Sequence, residues 1–153
     1  MLAVAGRWPP AIDLLYVVMR NFGPLRGDRA GMLSAYEIDV PQFADPRGRL
    51  AAFEQARPLP FTPLRTFVIS DVPPGAHRAA HVARCDEFLW MAAGACRAIL
   101  RQHAAQEEGE QRFHLAARGR GLYVPKGLWI DLFDFDPGSV MICMADSNYV
   151  ARS

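Results

Sequence analysis

Two stretches of the chain set polar, ion-binding or proton-exchanging side chains at fixed distances from glycines and apolar runs. The first is Gly75–Gly94, GAHRAAHVARCDEFLWMAAG, and the second is Gly119–Asp134, GRGLYVPKGLWIDLFD. In the first, His81 stands six places after Gly75, and Glu87 follows six places later. An imidazole changes charge near neutral pH, so His81 is a candidate for proton transfer or metal ligation. The competing reading is a satisfied core histidine. Glu87 precedes Phe88-Leu89-Trp90, a run apolar enough to mark a buried strand, so its carboxyl is expected to face a pocket.

Three arginines could grip an anion. Arg47, Arg65 and Arg78 each carry the planar donor fork that suits a diphosphate or a carboxylate. Arg65 is the favoured one, because an arginine inside the apolar run Leu64–Ile69 needs a partner. Arg47 follows a turn, where a surface salt bridge explains it as well. Tyr123 and Trp129 could stack on a base or a sugar, although aromatic residues in strands more often fill cores. His103 and His114 flank a polar, acidic stretch and are expected in solvent.

These residues need strands to hold them. From residue 35 onward, short runs rich in Val, Ile, Phe, Leu and Trp alternate with turn residues. The expected strands are 35–40, 48–54, 64–71, 86–92, 95–102, 112–117, 121–125, 128–135 and 139–145. Turns are marked by Asp45-Pro46-Arg47-Gly48, Pro73-Pro74-Gly75, Ala93-Gly94 and Asp136-Pro137-Gly138. The stretch 106–111 reads as an exposed hairpin tip. Many short strands without a helical stripe predict an all-β sandwich, jelly roll or barrel. Residues 1–31 differ, being broken by Pro9-Pro10, Gly23-Pro24, Gly27 and Gly31. Only Ile12–Asn21 could form two or three helical turns. A second possible start at Met32 makes 1–31 an extension expected outside the fold, poorly structured or briefly helical, with the domain spanning 32–153.

The chain has 153 residues, 51% apolar and 22% charged, the balance of one soluble globule. Its formal charge of +1 and scattered basic residues exclude a nucleic-acid stripe or an anionic-membrane patch. No apolar run approaches the roughly 18 residues of a spanning helix. The three cysteines, Cys85, Cys96 and Cys143, are odd in number and lack a CxxC spacing. That argues against a disulfide framework or a zinc site and suits a reducing cytoplasm. Cys96 and Cys143 lie in apolar runs and read as core residues.

The two stretches resemble, spacing for spacing, the paired motifs of the cupin superfamily. That resemblance implies a double-stranded β-barrel, with His81 and Glu87 turned into its lumen. Residues i and i+2 of a strand face the same way, so a His-x-His pair can aim two imidazoles inward. Here Ala83 stands at the second histidine's place and Ile130 at the third's. Two remaining donors cannot hold a divalent ion tightly against water, so no metal and no other cofactor is expected. A metal-dependent cupin dioxygenase or isomerase is the weakest alternative for the same reason.

Within the cupins, residues 36–149 resemble the WxcM-like, FdtA/QdtA-type sugar 3,4-ketoisomerases. The markers are Asp45-Pro46-Arg47-Gly48-Arg49-Leu50, Leu59-Pro60-Phe61, Leu64-Arg65-Thr66-Phe67-Val68-Ile69, the segment around Arg78 and His81, Gly121-Leu122-Tyr123-Val124-Pro125 through Trp129, Asp134-Phe135, and Val140–Tyr149. The resemblance implies transfer of a keto group from carbon 4 to carbon 3 of a nucleotide-linked 6-deoxyhexose, usually on dTDP. It implies a role in deoxysugar or surface-polysaccharide synthesis, by a metal-free homodimer in the cytoplasm. His81 would move the proton, with Glu87 beside it. Arg47, Arg65, Arg78, Tyr123 and Trp129 would hold the substrate. A family tyrosine falls on Phe67. Because the departures at Ala83, Ile130 and Phe67 all remove polar groups, a non-catalytic sugar-nucleotide-binding or assembly module is the alternative.

Overall fold

The structure is a computed structural model that describes residues 33–55, 58–102 and 109–149. The expectations for residues 1–31, for His103 and for residues 106–108 of the tip lie outside the described residues. Of the rest of that tip, Gly109 is exposed, but Gln111 belongs to a strand and the Glu110 side chain is 9% exposed and paired with Arg101, so those two are not the solvated tip expected from their polarity. The strands are β1 (Tyr36–Ile38), β2 (Gln42–Asp45), β3 (Gly48–Ala51), β4 (Glu54–Gln55), β5 (Pro58–Leu59), β6 (Arg65–Ser70), β7 (Arg78–Val82), β8 (Glu87–Ala93), β9 (Ala95–Arg101), β10 (Gln111–Ala116), β11 (Gly121–Val124), β12 (Trp129–Phe133) and β13 (Val140–Ala145). Among the described residues there is no helix.

Two antiparallel sheets carry the fold. One has the order β1-β11-β8-β13-β6 and the other β10-β9-β12-β7. They enclose the main core, which includes Leu89, Met91, Cys96, Leu100, Leu122, Ile130, Leu132, Met141 and Cys143. This is the double-stranded barrel that the sequence predicts. Along one side, Gln111 of β10 stitches the sheets together. Its amide oxygen accepts from Ala35 N–H at 2.9 Å and its amide nitrogen donates to Ala35 C=O at 3.0 Å. The edges of the other side are β6 and β7, which share no ladder.

The strands predicted from sequence all have counterparts, and the marked turns sit between them. At Gly94, joining β8 to β9, φ is +67° and an added Cβ would lie 2.3 Å from Ser139 Oγ, so no larger residue fits. The expected strand 48–54 breaks after Ala51. The strands β2, β5 and β7 lie outside those expected, and the one that bears on the site is β7. Its sequence Arg-Ala-Ala-His-Val has a single β-branched residue, too weak a signal beside its neighbours.

A second apolar layer lies on the outer face of the five-stranded sheet. Phe88, Trp90 and Met144 point there and meet Val40, Phe53, Leu59 and Phe61 from the chain before β6. This explains why β8 is apolar at successive positions. Leu89 and Met91 face the lumen while Phe88 and Trp90 face the outer layer, so neither side of the strand sees water.

Candidate active site

His81 reaches the lumen through an irregularity in β7. Across the β7–β12 ladder, His81 faces Ile130 and Ala79 faces Asp131, leaving Ala80 as an extra residue. Ala79 and Ala80 both have positive φ, 65° and 52°. Holding a non-glycine residue there costs about 1–2 kcal/mol. A bulge of this kind re-aims the side chains beside it, and Ala79 and His81 both line the lumen. The His81 Nδ1 atom lies 3.1 Å from Val82 C=O. A carbonyl can only accept, so this contact places a ring proton on Nδ1, and in the neutral ring Nε2 then carries the lone pair.

Glu87 opens β8 and is only 8% exposed. Burial pushes its carboxyl above the ordinary glutamate range, while the charges of His81 and Arg65 and the bond from Cys85 pull the other way. The Cys85 thiol donates to Glu87 Oε1 at 3.9 Å, and Arg65 Nη2 donates to Cys85 Sγ at 4.0 Å. The Arg65 guanidinium lies 5.1 Å from the Phe67 ring centre and 5.8 Å from that of Tyr149. Its Nε is buried and finds no acceptor among the described residues. A buried donor left unmet costs about 1–3 kcal/mol, which a bound anion would relieve.

His81 and Glu87 converge on one cavity of about 80 Å³. Phe67, Ile69, Ala79, Leu89, Ile130, Leu132 and Cys143 form the rest of its wall. Pockets that enclose a whole drug-sized ligand measure roughly 300–1,000 Å³. This lumen therefore suits the reacting edge of a substrate whose bulk lies outside. Ile130 contributes hydrocarbon to the wall, and Ala83 is buried in the core without lining the cavity. Among the described residues no three His, Cys, Asp or Glu side chains are grouped to share an ion. One imidazole and one carboxyl do not fit a divalent metal.

Comparison with known proteins places this barrel. The family described as "FdtA: WxcM-like, C-terminal" matches residues 34–152. The chain belongs to the FdtA family. It is 30% identical over 115 residues to a TDP-4-oxo-6-deoxy-alpha-D-glucose-3,4-oxoisomerase of Aneurinibacillus thermoaerophilus, across 73% of this chain and 78% of that protein. It also resembles the QdtA 3,4-ketoisomerase of Thermoanaerobacterium thermosaccharolyticum, solved as a double mutant with TDP. There the identity is 26% and the TM-score 0.69, over 76% of this chain and 82% of that one. The WlaRB TDP-quinovose 3,4-ketoisomerase of Campylobacter jejuni is 26% identical with a TM-score of 0.70, over 78% and 90%.

In this FdtA-family barrel the other sequence candidates lie away from the lumen cavity. Arg47 sits on the β2–β3 turn with its side chain 90% exposed, and its Nη2 lies 2.5 Å from Asp45 Oδ2. That pairing lowers the Asp45 carboxyl below its ordinary range. Arg78 is exposed at the start of β7. Tyr123 is next to Tyr36, with ring centres 4.9 Å apart, and donates its hydroxyl to Asp86 Oδ2 at 2.7 Å. Trp129 carries the Arg101 guanidinium 5.3 Å from its ring centre. His77 is held outside as well, its Nδ1 2.8 Å from Asp131 Oδ2 and its ring stacked on Phe133 at 5.6 Å.

Other residues of the site carry little signal in sequence. Cys85 bridges Arg65 and Glu87. Asp86 accepts from Tyr123 Oη and, at 2.9 Å, from Lys126 N–H, while its own N–H donates to Asp146 Oδ1 at 3.1 Å. This ties the β7–β8 connection to the turn before β12 and to the end of β13. Cys143, expected as core, is core and also cavity wall.

Proposed function

We propose that this chain is a nucleotide-sugar 3,4-ketoisomerase of the dTDP-4-keto-6-deoxyhexose class, acting in deoxysugar or surface-polysaccharide synthesis. The observation that carries the reading is the convergence of His81 and Glu87 on a lumen otherwise walled by apolar side chains and a thiol. His81 is the proton-transfer residue: in the neutral ring its Nε2 lone pair can take a proton from the carbon beside a carbonyl. Glu87 is its neighbour in the pocket. The three relatives described above are named as 3,4-ketoisomerases or a 3,4-oxoisomerase, which supports this reading over a non-catalytic module.

Substrate binding starts at Arg65, whose buried Nε lacks an acceptor and whose fork suits the diphosphate. Arg47, Arg78, Tyr123 and Trp129 serve the parts of the nucleotide that the small lumen cannot hold. The working domain spans 32–153, in keeping with the family match at 34–152. Three buried free cysteines suit a reducing cytoplasm. A homodimer would cover the open edges of β6 and β7 and the exposed Phe43–Leu50 pair of the β2–β3 hairpin.

The test is incubation of the full chain with dTDP-4-keto-6-deoxyglucose, followed by NMR of the sugar, beside calorimetric titration with dTDP. Appearance of the 3-keto sugar supports the reading. Neither turnover nor binding would reject it, and binding without turnover would return the protein to the non-catalytic alternative.

A further inference from the structure

Moving a keto group between adjacent carbons displaces two protons, one bound to carbon and one to oxygen. Three of the groups lining the lumen are titratable: His81, Glu87 and Cys143. Burial raises the Cys143 thiol far above its ordinary range, so it stays protonated and is a poor proton carrier. Taking hydrogen from C3 while leaving O4 unprotonated would set an enolate against Phe67, Ile69, Ile130 and Leu132, where a charge is poorly solvated. A second proton-transfer group is needed in the same cavity, and Glu87 is there.

We propose that Glu87 acts as a neutral carboxylic acid that gives its proton to O4 and later takes the hydroxyl proton from O3, while His81 carries the carbon-bound proton from C3 to C4. This rests on the ketoisomerase reading above. In the first half, the C3–H bond breaks and its proton goes to His81 Nε2. Its electron pair becomes the C3=C4 π bond, and the C4=O4 π pair takes the Glu87 proton. The enediol is neutral, with an imidazolium and a carboxylate beside it. In the second half, the Glu87 carboxylate removes the O3 proton and the O3 pair closes C3=O3. The C3=C4 pair then takes the His81 proton at C4. Both side chains return to their starting states, and no redox partner is needed.

The surroundings of Glu87 suit both of its states. It faces His81 from β7, Arg65 from β6, Cys85 before β8, Cys143 from β13 and Asp146 after β13. Burial, with a smaller push from Asp146, favours the acid form that the first half needs. The charges of His81 and Arg65 and the Cys85 thiol steady the carboxylate formed midway. The two charges that arise are opposite in sign and share one cavity.

The test compares the full-length wild type with Glu87→Gln and Glu87→Asp on dTDP-4-keto-6-deoxyglucose, measuring kcat and KM across pH. Calorimetry with dTDP shows that each variant is folded. Glu87→Gln is expected to lose about a hundred- to ten-thousand-fold in kcat with KM within about threefold. Wild-type kcat should fall as pH rises through one ionisation above the ordinary glutamate range, and Glu87→Asp should keep that limb at a shifted pH. If wild type turns the sugar over and Glu87→Gln stays within about tenfold of it, the role of Glu87 is overturned and the ketoisomerase reading stands. If Glu87→Gln does not bind dTDP, the pH limb of Glu87→Asp decides, and an unshifted limb overturns the role. A wild type without turnover sinks both.

Discussion

His81 and Ile130 stand opposite each other in the β7–β12 ladder, an imidazole against a branched hydrocarbon that is 1% exposed. Ile130→His would set a second imidazole beside His81, with Glu87 lining the same cavity. Three donors begin to make a metal site. The metal-free variant should lose about 1–3 kcal/mol, because a buried polar ring lacks a partner. Nickel or zinc should restore it, by about 2.7 kcal/mol at a hundred times the dissociation constant. Thermal melts with chelator and with metal measure both effects, and wild type should not respond.

The positive φ at Ala80, 52°, is the strain that re-aims β7. Glycine adopts this conformation freely, so Ala80→Gly should change stability by less than about 1 kcal/mol. Valine resists it, and Ala80→Val should cost about 1–3 kcal/mol and lower activity by displacing His81. Urea unfolding and turnover of the two variants check this, and a harmless valine would show that the bulge tolerates other backbone shapes.

Folding raises the carboxyl of Glu87 above its unfolded value, chiefly through burial. The native state then binds more protons than the unfolded state between the two pKa values, so stability falls as pH rises through that window. Glu87→Gln removes the ionisation. It should match wild type below the unfolded glutamate pKa and become the more stable of the two toward neutral and alkaline pH. Melting curves collected as a function of pH give the comparison.

Asp86 holds together the β7–β8 connection, Tyr123 and the turn before β12. Asp86→Ala strands the Tyr123 hydroxyl and the Lys126 N–H, and should cost about 1–3 kcal/mol. Tyr123→Phe loses one bond and leaves Asp86 its contact with Lys126, so its cost should be smaller. The Tyr123 phenol is held above its ordinary range by burial and by Asp86. Absorbance titration should show that constraint relaxed in Asp86→Ala.

All three cysteines are buried, and burial pushes the Cys96 thiol up to about 12. Reaction with a thiolate-directed alkylator at neutral pH should be slow in the folded chain and complete after unfolding. Mass spectrometry of the labelled peptides reads each site separately. Rapid labelling of Cys143 in the native state would contradict its burial.

The sequence by itself determined the all-β architecture, most strands and the turns between them. Alternation and turn chemistry are local, and one residue's neighbours in the chain suffice to read them. It also marked His81 and Glu87, because their spacing from Gly75 and Gly94 survives although Ala83 and Ile130 have lost their polarity. The tertiary structure alone decided where the arginines and aromatics went. Arg47 and Arg65 carry the same guanidinium, yet one is bound to Asp45 in solvent and the other lies beside Cys85 and Glu87. It alone showed the outer layer behind Phe88 and Trp90 and the bulge at Ala80. A cavity walled by Phe67, Ala79, Glu87, Ile130 and Cys143 draws on five strands that meet only when the sheets close, and no local pattern records that meeting.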